Sequence, residues 1–142
     1  MTSITLAKAN AIIEAAFAKA KDAGLKPLSV VVLDAGGHVT AFQKQDGSSM
    51  MRFEIASGKA FGALAVGMGS RKLEAFAKER PHFMEGLSGV TGGKVVPVPG
   101  GVLVRAGGQI VGAVGTTGDT SDNDELAAIA GIVAAGFEAD GG

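Results

Sequence analysis

Two Gly-Gly pairs, each set between apolar runs, constrain this chain more than any other feature in it. The stretch Pro99–Gly118 reads PGGVLVRAGGQIVGAVGTTG, with Val102–Val104 and Ile110–Val114 flanking Gly107–Gly108. Runs of β-branched residues around a two-residue Gly-Gly turn specify a β-hairpin, because the favoured hairpin turns need positive φ and glycine adopts it at no steric cost. The pattern recurs upstream, LDAGGHVTAF at 33–42 against VRAGGQIVGA at 104–113, and reads as two uses of one turn chemistry. Hairpins pair their strands antiparallel, so the sheet is expected to be antiparallel. Gly112 and Gly115 inside the last strand mark places where a ligand or another backbone comes close. Strict alternation puts Ile110, Gly112 and Val114 on one face of that strand, and Val111, Ala113 and Gly115 on the other.

Helical periodicity fills the rest. Leu6, Ala9, Ile13, Ala16, Phe17 and Ala20 share one face of an opening helix that Ser3 or Thr5 can cap, Gly24 can end and Pro27 keeps from resuming. A second helix runs from Met51 to about Val66, with Phe53, Ala56, Ala60 and Leu64 as its stripe. A shorter one runs from Arg71 to about Glu79, capped by Ser70 and stopped by Pro81. Glycines, prolines and mixed polarity from Pro81 to Pro99 predict a long loop with a short strand at Lys94–Val98, and a loop of that length is often functional. A closing helix spans Asp122 to about Phe137, with capping-box spacing between Ser121 and Asp124 and a buried stripe of Leu126, Ile129, Ala130, Val133 and Phe137. The expectation is one α/β domain over residues 1–142, an antiparallel sheet of about five strands with flanking helices.

Composition narrows the function classes. With 46% hydrophobic and 19% charged residues in 142, the chain is globular and buries a core. A net charge of −1 removes the electrostatic case for nucleic-acid or membrane-surface partners. Cysteine is absent, which excludes disulfides, thiolate metal sites and cysteine nucleophiles. The apolar runs fall short of the ~20 residues a membrane span needs, and MTSITLAKAN lacks a basic segment before an apolar one. A cytoplasmic protein is the expectation. A mean hydropathy of +0.31 with few charges implies apolar surface patches and a homo-oligomer.

Several motifs fail. Gly93–Lys94 has Ser88 where a phosphate-binding loop needs its first glycine, and Val95 where it needs Ser or Thr. The acids from Asp119 to Asp124 lack the central glycine and terminal glutamate of a calcium loop and suit helix capping better. His38 and His82 are lone, so no metal centre is read. Three features remain. Arg52 and Lys59 lie seven residues apart, hence on one helix face, where two cations can hold a carboxylate. Asp46–Gly47 follows a strand as a turn or a proton-transfer group. Pro81-His82-Phe83-Met84 gathers an imidazole, an aromatic ring and a thioether, a set able to ligate haem iron. For each of the three, ordinary surface or turn residues are the plainer reading.

VVVLDAGGHVTAF, KQDGSS, ASGKAFGAL and VPGGVLVRAGGQIVGAVGTTGDTSDNDELAAIAG, taken in order, resemble the GlcG/HbpS-like (haem-degrading domain) family from about Ser29 to Gly131. The matching positions are Asp34, Gly37, Asp46, Gly47, Lys59, Ala60, Gly100, Gly101, Gly112, Gly115, Thr117, Gly118 and Asp124. Lys44–Gln45, Val102–Leu103 and Asp119 depart from the family pattern. The resemblance implies a profilin-like fold, homo-oligomers and a small-molecule ligand. Haem is the one cofactor it implies, although the histidine reported in the first helix of some members has no counterpart before His38.

Two function classes follow. One is a domain binding haem or a related cofactor, with a role in haem degradation and His82 as iron ligand. The other is a small enzyme (an isomerase or lyase moving a proton) or a binding protein in organic acid metabolism. There Lys59 and Arg52 take the carboxylate, while backbone N–H groups of Gly100, Gly101 and Gly115, Thr116, Thr117, Gly118 hold an oxygen. Asp46 or Asp124 then transfers the proton. This reading predicts that Lys59, the Gly115–Gly118 turn and Asp46 line one pocket.

Overall fold

A computed structural model describes residues 3–142. Its elements in chain order are α1 (Leu6–Asp22), β1 (Ser29–Asp34), β2 (Val39–Lys44), α2 (Arg52–Val66), α3 (Ser70–Glu79), α4 (Pro81–Val90), β3 (Gly101–Ala106), β4 (Gln109–Thr117), α5 (Ser121–Ala134) and β5 (Glu138–Asp140). The five strands form one sheet in the order β2-β1-β4-β3-β5, antiparallel at every pairing. Helices α1 and α5 cover one face and α2 the other, so β1 and β4 are buried on both sides, and β1 reads as a continuous apolar run.

The β3–β4 turn is as expected: Gly107 and Gly108 have φ of 58° and 80°, with Ala106 opposite Gln109. The β1–β2 turn is chemically different. Only Gly37 there has positive φ (83°), and the Asp34 carboxylate organises the loop by accepting from the N–H of Gly36 at 2.9 Å and of His38 at 3.0 Å. The two hairpins therefore do not share one turn chemistry.

Strand β4 also corrects the alternation. Val104 pairs Gly112 but Arg105 pairs Ile110, which leaves Val111 as an extra, bulged residue. Val111 joins Val114 in the α1/α5 core, and Ile110 packs with Ala113 under α2. Beyond the bulge the expected order holds: a side chain at Gly112 would meet Ile4, one at Gly115 would meet Ala56 and Ala60 of α2. Both faces are covered by helices of this chain.

Three further expectations change. The stretch after Pro81 is the helix α4, not a loop, because a proline that ends one helix is equally suited to the first position of the next. Arg80 stacks over Phe76 and Phe83, whose rings meet edge to face, and this joins α4 to α3. Residues 94–98 form no strand: Val96 donates to the Gly58 carbonyl (3.1 Å), and the segment lies across α2 where Gly58 and Gly62 leave room. The fifth strand is instead β5, after α5 ends at Ala134 and Gly136 turns the chain with φ of 89°.

The buried stripe of α5 is also displaced. Leu126 and Val133 are 44% and 58% exposed, while Ala127, Ala128, Gly131 and Ile132 face inward. Close packing against α1 selects small residues: a Cβ on Gly131 would run into the Ile12 carbonyl and come within 3.3 Å of Ala16. On α1, Thr5 caps the start by accepting from Lys8 N (3.1 Å), and Ala9, Ile12, Ile13, Ala16 and Ala20 are buried, whereas Leu6 is 60% exposed.

Candidate functional site

Where β4 ends and β3 begins, a charged pair is enclosed. Lys59 of α2 sends its Nζ to within 3.0 Å of Asp124 Oδ2 and 3.0 Å of the Thr116 carbonyl, and both side chains are 2% exposed. Asp124 Oδ1 accepts from Asp119 N at 2.9 Å. Burial pushes the Lys59 pKa down and the Asp124 pKa up, and each charge opposes the shift of the other. Lys59 belongs to the layer on one face of the sheet and Asp124 to the layer on the other. The lysine crosses at Gly100 and Gly101, where a Cβ would strike its own side chain and backbone. The pair is a rivet through the end of the sheet.

Neighbouring donors are committed to protein acceptors. Gly101 N donates to the buried Ser70 hydroxyl (2.7 Å), and Thr116 N donates to the Gly100 carbonyl (2.9 Å). Gly115 lies against the Ala56 carbonyl and Gly118 (φ 146°) against Pro27 and Leu28, as close backbone approaches. Arg52, at the start of α2, donates from Nη1 to Thr117 Oγ1 at 3.0 Å. Of the residues expected together, Lys59, Asp124, Thr116, Gly100 and Gly101 do meet, and Arg52 meets Thr117. Asp46 does not join them: it lines an open groove beside α1 with Glu14, Phe17, Lys21 and Lys44. The single pocket predicted for Lys59, the turn and Asp46 is not formed.

A cavity does open on the other flank of α2. Leu33, Val39, Phe53, Phe61 and Val96 supply its walls, Ser57, Gly58 and Glu54 its helix side, and Gly93 and Lys94 a rim, around about 400 Å³. That is within the ~300–1,000 Å³ usual for ligand sites. Spacing places its α2 residues together, since 53, 54, 57, 58 and 61 fall on one helix face. The Lys94 ammonium stands 5.8 Å from the Phe61 ring centre. Sequence reading missed this site because its rim depends on how 91–98 folds back over α2, which no local pattern encodes. Only the paired glycines at 58 and 62 signal it.

Neither histidine lines the cavity. His38 is 81% exposed at the β1–β2 turn, its Nδ1 3.2 Å from Asp34 Oδ1. His82 is exposed in the first turn of α4, eight residues and roughly 12 Å of helix rise before the end that leads to the rim. Among the described residues no group of three His, Cys, Asp or Glu side chains could hold a metal ion, and no helix is long and apolar enough to cross a membrane.

A family model described as "Haem degrading protein HbpS-like" matches residues 4–133. A Citrobacter freundii relative, an uncharacterized 15.0 kDa protein of the dhaT-dhaS intergenic region, is 30% identical over 128 residues, 90% of this chain and 89% of that one. The crystal structure of HbpS superposes with a TM-score of 0.82 at 28% identity, covering 94% of this chain and 90% of the other. A PduOC–heme complex gives 0.85 at 24% identity, covering 96% and 97%, a likeness that shows the fold.

Proposed function

The chain belongs to the HbpS-like family of haem-degrading proteins, and from that premise we propose that it binds a flat, largely apolar anion of the haem class in the cavity beside α2. The observation that carries this reading is the combination of aromatic and aliphatic walls with one cation at the rim. Phe53, Phe61, Leu33, Val39 and Val96 suit the faces of a porphyrin, and Lys94 suits a propionate. Ser57 presents a buried hydroxyl with no protein partner on the same lining, a polar point for the ligand edge. The macrocycle fits these residues. A histidine ligand does not, since His82 and His38 lie outside the lining.

Bound iron porphyrin supplies redox chemistry at its metal. Phe53, Phe61, Leu33, Val39 and Val96 would hold the ring and keep water from it. The rivet pair works as a support in this reading, since both its members are satisfied within the protein. The outward Leu126 and Val133 of α5 and the 84%-exposed Val90 of α4 support self-association. A light-scattering mass of one 14.1 kDa chain at micromolar concentration contradicts that part.

Titrating the protein with hemin tests the main part. Wild type is expected to saturate at one equivalent with a sharp Soret band. Phe61→Ala weakens binding about tenfold, the order for losing an aromatic wall, and Lys94→Glu weakens it further by reversing the rim charge. His38→Ala and His82→Ala leave the band in place. Loss of the band in His82→Ala alone would move the site to α4 and overturn the assignment.

A further inference from the structure

Arg52 is the cation in this region that no acid neutralises. Lys59 is balanced by Asp124, whereas among the described residues Arg52 makes no ion pair and gives one hydrogen bond, to Thr117. Glu54, two residues on, lies about 200° round the helix and lines the cavity. A half-buried guanidinium with five N–H donors and one protein acceptor has unused capacity for a bidentate partner.

The strand register supplies a second, independent observation. Ser29 pairs directly with Thr117 across β1 and β4, so both side chains stand on the α2 face, where Thr117 meets Arg52. Ser29 is fully buried, yet its hydroxyl has no hydrogen-bond partner among the described residues. Thr117 is 2% exposed, and its hydroxyl accepts from Arg52 with its own proton still to give. Buried hydroxyls are nearly always satisfied, so an orphan paired across the strands with the hydroxyl that Arg52 binds points to a missing acceptor. An acceptor that takes two donors from Arg52 and one from each hydroxyl, and brings one negative charge, is a carboxylate.

We propose that Arg52, Thr117 and Ser29 form a subsite for a small carboxylate. It shares no lining residue with the cavity beside α2 and stands whether or not that cavity takes haem. The carboxylate has two sources, a free short-chain acid or the propionate of a ligand reaching round α2.

Amide chemical shifts followed while sodium acetate replaces sodium chloride at constant ionic strength test the subsite. The expected result is saturable movement of Ser29, Arg52 and Thr117. Arg52→Gln weakens binding about tenfold or more, the usual weight of a charge-assisted hydrogen bond. Arg52→Lys restores part of it, because the charge returns without the fork. Ser29→Ala, a small change with its own spectrum as a check of folding, weakens acetate several-fold. Hemin added afterwards separates the sources: displacement of acetate assigns the subsite to a propionate, and simultaneous binding assigns it to a free acid. Shifts that fail to saturate, or that are equal in wild type and Arg52→Gln, overturn the proposal and leave the hydroxyls to a buried water.

Discussion

The two faces of the sheet are built on opposite principles. Under α1 and α5 the core is filled: Ile12, Ile13, Val30, Val32, Val102, Val104, Val114 and Ile132 are fully buried, and small residues let the two helices touch. Under α2 the apolar cluster is smaller, built on Val31, Leu33, Leu103 and four alanines. That face also carries the buried Lys59 and Thr117, the unpartnered hydroxyls of Ser29 and Ser57, and the cavity, while the α1/α5 side holds the buried Asp124 and the unpartnered Thr116 hydroxyl. Polar burial costs stability unless it is satisfied, and the larger, closely packed α1/α5 core offsets that cost. The α1/α5 side is the filled core, and the α2 side is where the cavity opens.

Breaking the rivet between the faces should have the largest effect. Lys59→Met or Asp124→Leu alone strands a buried charge and is expected to cost about 3–5 kcal/mol in urea unfolding. The double variant, with neither charge, should recover most of that loss. Single variants within about 1 kcal/mol of wild type, or a double variant as unstable as the singles, would break the idea that the pair ties the layers.

A smaller effect is expected from the filled face. Gly131→Ala forces α1 and α5 apart at the Ile12 carbonyl and should cost about 1–3 kcal/mol, with hemin affinity unchanged. A fall in affinity comparable to that of Phe61→Ala would show that the faces are not separable.

The smallest effect is at the junction. The Asp119 carboxyl is held down at about 2, first by the Asn123 side chain and then by the N–H groups of Lys26 and Thr120. Because the folded value is depressed below 3.8, the contribution is complete above that pH and fades as pH falls toward about 2. Acid titration of stability should therefore be shallower in this window for Asp119→Asn. Identical acid limbs for variant and wild type would remove the carboxylate as an anchor of the β4–α5 connection.

Much of the fold was legible because it rests on local chemistry. Gly107–Gly108 and the run around it demand a hairpin, and Thr5 caps α1 by accepting from Lys8 N, whereas α5 is capped by Thr120, accepting from Asn123 N, one residue before the Ser121 expected. What escaped is what depends on distant partners. The inward stripe of α5 is chosen by the closeness of α1, the bulge at Val111 by pairing with β3, and β5 by three residues with no hydrophobic run of their own. At the site, Lys59, Asp124 and Thr116 meet, with the two charges paired and 2% exposed. Asp46 stood close in sequence and ends up beside α1. The cavity walls come from three segments that meet only when the chain is folded.

Paramagnetism locates bound hemin on one face of the sheet or the other, since iron broadens nearby amide signals and spares distant ones. For a ligand in the cavity beside α2, Gly37, Ser57, Gly58, Phe61 and Lys94 are expected to broaden at one equivalent of hemin, while Ile12 and Ile132 on the filled face stay sharp. Broadening centred on His82, or on α1 and α5, contradicts that placement.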